Sequence, residues 1–418
     1  MTEGKSDTSG NSATSGFVPI LVATAIAGVA SYGVTIIIPS QVGLAPYSVF
    51  AVFWAALYLV VGALSGIQQE ITRATIRRAD SVRPSQNRAR NFAVYAAAFV
   101  VVTVVATSPL WQSAVFPVLG YALVWPLAAG TASYVFVAVI AGSLYGLSGW
   151  RPIALMISVD AILRLLAVVA VLLVSHDIVV LAWAAVLPFP MTILILWPMI
   201  RRVLVGRAQL DVGYRALTWN VLRTVVAAAS TGVMVSGFPL LLGITSQRES
   251  PALLGMSILA ITLTRAPLIV VAMSLQSYFT VTFRDAGEHF WRQFVRLLGV
   301  ILAAGAVLAA LGWLVGPAVF GFLFPGRLVP DGAFIAALVV SSALVGAMCV
   351  SAPAVLARSQ HFVYSLGWVV GAVATIGALL LPLDFTARTV TALFCGPILG
   401  LVVHLSYLVA ARPARAAA

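Results

Sequence analysis

Residues 46–73 read PYSVFAVFWAALYLVVGALSGIQQEITR. The first twenty of them, to Ser65, carry no formal charge. A helix crosses the hydrocarbon core of a bilayer in roughly 20 apolar residues. The stretch is therefore long enough to span a membrane, and the polar ending Gln68-Gln69-Glu70-Ile71-Thr72-Arg73 marks where it leaves the lipid.

The rest of the chain repeats this pattern. Of its 418 residues 61% are hydrophobic and only 9% charged, with a mean hydropathy of +1.06, whereas soluble domains carry about 25% charged residues. No water-soluble fold could bury so much apolar surface. Apolar stretches fall at 17–38, 46–70, 92–110, 118–146, 153–174 and 178–200, and again at 221–243, 252–282, 294–315, 332–356, 362–382 and 387–411. The expected fold is an all-α integral membrane protein of about 12 transmembrane helices. Residues 1–16 are polar and rich in Gly, Ser and Thr, which predicts a disordered tail. The first apolar stretch is too long for a signal-peptide core and is preceded by a single basic residue, Lys5, so it reads as a retained span. Cys349 and Cys395 lie within apolar stretches, which speaks against a disulfide framework or a metal cluster.

Placing the N-terminus in the cytoplasm leaves 19 basic residues inside, including Lys5, Arg73, Arg88, Arg90, Arg201, Arg202 and Arg207. Only Arg248, Arg327 and Arg388 fall outside, and Arg164 and Arg265 remain within spans. The bias toward cytoplasmic Lys and Arg fixes the orientation and an even number of spans, with both termini cytoplasmic in an inner membrane. It also accounts for the net charge of +12 through contact with anionic membrane lipids, with no need for a nucleic-acid partner.

The chain divides near residue 208 into two halves of six spans, an N-lobe at 17–208 and a C-lobe at 209–411, followed by a cytoplasmic tail at 412–418. A shift of 208 residues places Phe116-Pro117 on Phe324-Pro325 and Gln68 on Gln276, and one residue of drift brings Pro188 onto Pro397. A constant offset that coincides with a 6+6 pattern marks an internal repeat. Because six is even, the halves are parallel-related six-helix lobes, and such a pair is expected to enclose a central cavity.

Three groups of polar residues stand where a bilayer tolerates them poorly. Asp160 and Arg164 lie about 14 and 20 Å along the fifth span at 1.5 Å per residue, and their i,i+4 spacing sets them on one face. A structural pair and a functional pair are both open on this evidence. Arg265, in Leu263-Thr264-Arg265-Ala266-Pro267, has no acidic residue three or four positions away. Pro267 should break its helix, and an unpaired guanidinium beside a broken helix suits an anion site, since its planar fork binds phosphate bidentately. Gln68, Gln69, Glu70 and Arg73 are denser than a lipid-facing helix end requires, although Glu70 and Arg73 at i,i+3 can simply pair. Gln276 joins them as the repeat counterpart of Gln68.

No Gly-Lys-Ser/Thr phosphate loop and no metal-spaced His/Cys set is present, and the four histidines are scattered. The first outer loop, at 39–46, has no acidic residue for holding a metal and a sugar phosphate. The chain is therefore not expected to be an enzyme or to need a cofactor.

With its 6+6 layout, the second-span ending Gly66-Ile67-Gln68-Gln69-Glu70-Ile71-Thr72-Arg73, the eighth-span Thr264-Arg265-Ala266-Pro267-Leu268, and Phe-Pro after each third span, the chain resembles the multidrug/oligosaccharidyl-lipid/polysaccharide (MOP) exporter superfamily. The branch it most resembles is that of the polysaccharide exporters, the Wzx-type flippases, over residues 17–411. Its Arg- and Ala-rich, nearly Lys-free composition points to a high-GC actinobacterium. The resemblance implies a MATE/MOP-like, V-shaped molecule whose lobes rock in alternating access. Its implied cargo is a polyprenyl-(pyro)phosphate-linked saccharide flipped to the outer leaflet for cell-envelope polysaccharide synthesis, with glycan polymerase or glycosyltransferase partners. Substrate contacts would fall to Arg265, Arg164, Asp160, Gln68, Gln69, Glu70, Arg73 and Gln276. Lipid II is less favoured, because its flippases in this superfamily usually have fourteen spans. Two rivals remain: a cation-coupled multidrug antiporter of the same fold, for which Asp160 is the deep carboxylate, and a non-transporting scaffold of a glycan-synthesis complex.

Overall fold

The computed structural model describes residues 9–77 and 88–411. Residues 1–8, the polar segment 78–87 with Arg78 and Arg83, and residues 412–418 lie outside the described residues. The chain folds as α1 (Ser9–Val42), α2 (Leu44–Ala74), β1 (Thr75–Arg77), α3 (Arg88–Val115), α4 (Tyr121–Gly146), α5 (Trp150–Leu172), α6 (Ile178–Val186), α7 (Pro188–Leu204) and β2 (Ala208–Leu210). It continues as α8 (Tyr214–Val235), α9 (Phe238–Thr245), α10 (Pro251–Ser274), α11 (Gln276–Arg284), α12 (Phe290–Leu323), α13 (Gly332–Leu356), α14 (His361–Leu379) and α15 (Phe385–Ala410).

Each of the twelve apolar stretches becomes a helix or a pair of helices. Among the described residues, ten helices are long and apolar enough to cross a membrane, with α6 and α7 together forming one of them, and eleven if the bent pair α8–α9 counts as one span. The eighth stretch is α10 followed, after a break at Leu275, by α11. The protein is thus an all-α, multi-pass membrane protein. Two expectations change. Helix α1 already begins at Ser9, inside the segment expected to be a disordered tail, because an existing helix propagates at little cost once its nucleus is formed. Helix α10 runs through Pro267 without interruption, since a single lost hydrogen bond in a membrane helix is readily made good by its surroundings.

Two compact units emerge. One holds the chain up to Gln41 together with Ala56–Ala229, the other Val42–Ala55 and the chain from Ser230 onward. In the first, α3 and α7 pack on α4, and α5 packs on α6 and α7. One of its cores gathers Leu64, Ile67 and Ile71 of α2 with Val135, Ala138 and Val139 of α4. In the second, α13 is the central helix, almost wholly buried among α10, α12 and α15.

The 208-residue offset is met at one pair of helix ends. Helices α3 and α12 stop at Val115 and Leu323, 208 residues apart, and the next residue in each case, Phe116 or Phe324, is 1% exposed. Pro188 and Pro397 differ in effect. The sixth stretch is interrupted at Leu187 beside Pro188 and Pro190, whereas α15 continues through Pro397.

A feature that period and composition did not signal is a two-stranded antiparallel ribbon pairing Thr75 with Leu210, Ile76 with Gln209 and Arg77 with Ala208. It ties the end of α2 to the approach to α8. A second tie lies just above it, where Asn220 Nδ2 donates to Glu70 Oε1 at 2.9 Å and Thr224 Oγ1 to the Gly66 carbonyl at 2.9 Å.

Candidate functional site

Within the first unit, α1, α2, α4, α5 and α7 enclose a cavity of about 340 Å³. Three of these helices line it with residues at helical spacing: Ala27, Ala30, Ser31 and Val34 from α1, Tyr134, Val137, Ala141 and Tyr145 from α4, and Ile153, Met156, Ile157, Asp160, Ala161 and Arg164 from α5. Tyr58 and Gln68 enter from α2, and Phe189 and Thr192 from α7. The wall is thus apolar with a concentrated polar set: one carboxylate, one guanidinium, one amide and five hydroxyls.

The charged pair is the centre of this set. Arg164 is 3% exposed. Its Nη2 lies 2.5 Å from Asp160 Oδ2, and its Nη1 donates to the carbonyl of Ala185 in α6. Ala185 lies at the break between α6 and α7, and Arg164 supplies a donor to its carbonyl there. The guanidinium also lies 4.5 Å from the centre of the Phe189 ring and 5.8 Å from that of Tyr58. Asp160, 26% exposed, keeps its Oδ1 without a hydrogen-bond partner, and so does the buried Thr192 Oγ1. Asp160 and Thr192 thus line the cavity while each keeps one buried oxygen unpaired, and both terminal nitrogens of Arg164 are already engaged.

The eight residues singled out from sequence separate into three places. Asp160, Arg164 and Gln68 meet in the cavity. Glu70 and Arg73 form their own bidentate pair, at 2.6 and 2.8 Å, with Asn220 on the same carboxylate. Gln69 is exposed, and neither it nor the Glu70–Arg73 pair lines the cavity. Arg265 and Gln276 belong to the second unit. Arg265 is 5% exposed, 5.7 Å from the centre of the Phe238 ring, and its Nε has no hydrogen-bond partner. Among the described residues no carboxylate forms an ion pair with it. Gln276 opens α11 and is half-buried.

Sequence reasoning overlooked Ser31, Tyr58, Tyr134, Tyr145 and Thr192. A signal was available in Tyr134 and Tyr145, eleven residues or about three turns apart on α4, and so on one face. His404 is structural, buried with Ser351 Oγ at 2.9 Å and the Tyr364 carbonyl at 3.2 Å.

No family model matches the chain. It is 32% identical over 408 residues to an uncharacterized protein of Mycobacterium bovis, covering 96% of this chain and 94% of that one. It is 30% identical over 393 residues to an uncharacterized protein of Mycobacterium tuberculosis, covering 94% and 90%. Among solved structures it is similar to an inward-facing multidrug resistance MATE family transporter of the MOP superfamily, with a TM-score of 0.67 and 15% identity over 94% of this chain and 98% of that one. It is also similar to a MOP superfamily transporter from Pyrococcus furiosus, whose reversed binding-pocket polarity suggests a different function, with a TM-score of 0.58 and 16% identity over 94% and 92%. The chain belongs to the family formed with these mycobacterial proteins, and its fold is that of the MATE transporters of the MOP superfamily.

Proposed function

We propose that the protein is a transporter of the polysaccharide-exporter branch, carrying a polyprenyl-(pyro)phosphate-linked saccharide from the cytoplasmic to the outer leaflet of the inner membrane by alternating access. The observation that carries this reading is Arg265, a cation buried in an apolar helix with an unsatisfied Nε and no carboxylate ion pair among the described residues. A bare charge at the centre of a membrane helix costs roughly 2.5–3.5 kcal/mol on insertion scales. Such a group is retained where something anionic compensates it, and a lipid (pyro)phosphate supplies that charge together with oxygens matched to the guanidinium fork. By itself, the first unit's cavity, lined by Asp160, Gln68 and five hydroxyls, has chemistry suited to a saccharide. Glycan polymerases or glycosyltransferases would be its partners, and both termini would be cytoplasmic.

Two measurements test the proposal. Mass spectrometry of polyprenyl-linked sugars from cells depleted of the protein should reveal accumulation of one defined lipid-linked saccharide. Arg265→Gln, which keeps bulk and removes charge, should lower export of the surface polymer by roughly tenfold or more, as expected for losing a charge-assisted bond of about 1.5–3 kcal/mol, while leaving the protein level in the membrane unchanged. Full export by a normally folded Arg265→Gln protein would remove the basis of the proposal.

A second reading is favoured by Asp160, the carboxylate that lines the cavity and whose buried Oδ1 has no hydrogen-bond partner. A carboxylate so placed can take up a proton or a cation, as a cation-coupled antiporter requires. On that reading depletion raises sensitivity to cationic compounds and no lipid-linked saccharide accumulates.

A further inference from the structure

A second cleft in the first unit, about 550 Å³ in volume, is separate from the cavity of Asp160 and Arg164. Its floor is α4, through Phe136, Val139 and Ile140, and its sides are α3 and α7, which both pack on α4. Ile193, Leu194 and Trp197 of α7 make its apolar wall, and Leu194 and Trp197 are exposed at its rim. One end is closed by the ribbon, through Thr75 and Gln209. At that end α3 begins with Arg88, half-buried and weakly bonded to the Val212 carbonyl at 3.5 Å, and Arg90, which is exposed. The cleft is thus apolar along its length and cationic at the mouth.

We infer that this cleft is a binding site for an anionic phospholipid of the bilayer, with an acyl chain lying on α4 between α3 and α7 and the phosphate at Arg88 and Arg90. Polarity divides the lining as it divides a lipid. Apolar walls exclude water in favour of a hydrocarbon chain, and basic side chains at the start of a membrane helix attract anionic headgroups. Charge complementarity selects an anionic lipid over a zwitterionic one. In sequence the acidic residues nearby are Asp80 and Asp211, against Arg77, Arg78, Arg83, Arg88, Arg90 and Arg207.

The site bears on transport because it shares walls with the cavity. On α4, Ser133 and Phe136 face the cleft while Tyr134 and Val137 face the cavity. On α7, Ile193 faces the cleft and Thr192 the cavity. A lipid seated on one side fixes the two helices that shape the other.

The test is native mass spectrometry of the purified full-length protein in detergent, with dioleoyl phosphatidylglycerol and dioleoyl phosphatidylcholine offered in equal amounts. Phosphatidylglycerol should be retained over phosphatidylcholine by roughly tenfold, and 0.5 M salt should collapse that preference by screening. The double variant Arg88→Gln/Arg90→Gln should bring both lipids to one level, and Ser133→Phe, which puts a ring into the cleft, should lower both. Equal retention by the wild-type protein overturns the proposal without any variant needing to fold. So does undiminished phosphatidylglycerol binding in a folded double variant or in folded Ser133→Phe. Displacement of phosphatidylglycerol by an equal amount of polyprenyl phosphate would assign the cleft to that lipid instead.

Discussion

Arg164→Met should lower the stability of the protein by roughly 3 kcal/mol, and adding Asp160→Asn should restore part of the loss. The first change leaves Asp160 as an uncompensated carboxylate beside apolar walls. It also removes the donor from the Ala185 carbonyl at the α6–α7 junction and the cation from the face of Phe189. Removing one member of a buried pair is costly because its partner stays behind, whereas removing both charges together is much milder. The double variant therefore isolates the pair from the packing. Thermal unfolding in detergent, followed by tryptophan fluorescence, gives the comparison. If Arg164→Met melts with the wild type, the pair contributes nothing to folding. If the double variant is no better than the single, the loss comes from the bond to Ala185 and not from charge.

This pair also marks how far the sequence could be read. The i,i+4 spacing of Asp160 and Arg164 predicted their contact, and they meet at 2.5 Å, because a helix turn fixes that geometry without help from the rest of the fold. The long apolar runs were legible for the same reason, as was the 208-residue offset that returns in the ends of α3 and α12. The bond from Arg164 to Ala185, twenty-one residues away, was not legible. It depends on where the sixth stretch is interrupted, and proline alone does not decide that: Pro188 and Pro190 accompany a break, while Pro267 and Pro397 lie within continuous helices. The ribbon of β1 and β2 was invisible because three residues are too few to display a strand's alternation, and its partners are far apart in the chain. Arg265 is buried in α10 and Gln276 half-buried at the start of α11, while the cavity formed around Gln68, Asp160 and three tyrosines that only tertiary packing brings together.

The stretch at 46–73 contains its own most sensitive position. Gly66→Val should destabilise the protein by about 2–3 kcal/mol or prevent its accumulation in the membrane, and Gly66→Ala should already cost about 1 kcal/mol or more. A Cβ at Gly66 would lie 2.5 Å from the backbone carbon of Thr224 and the amide nitrogen of Val225. Here α2 and α8 touch backbone to backbone, as membrane helices do where small residues permit it, and neither neighbour is a side chain that can swing away. Parting the helices would also lengthen the bonds from Thr224 Oγ1 to the Gly66 carbonyl and from Asn220 to Glu70. Gly28→Ala in α1 is the control, since nothing lies within 4 Å of its added methyl and alanine is the better helix former by about 1 kcal/mol. Melting curves of the three variants in detergent should therefore fall in the order Gly28→Ala, Gly66→Ala, Gly66→Val. A Gly66→Ala protein as stable as Gly28→Ala would mean that α2 and α8 do not pack at this distance, and the tie that holds the end of the second span to the start of the seventh would have to rest on Glu70 and Asn220 alone.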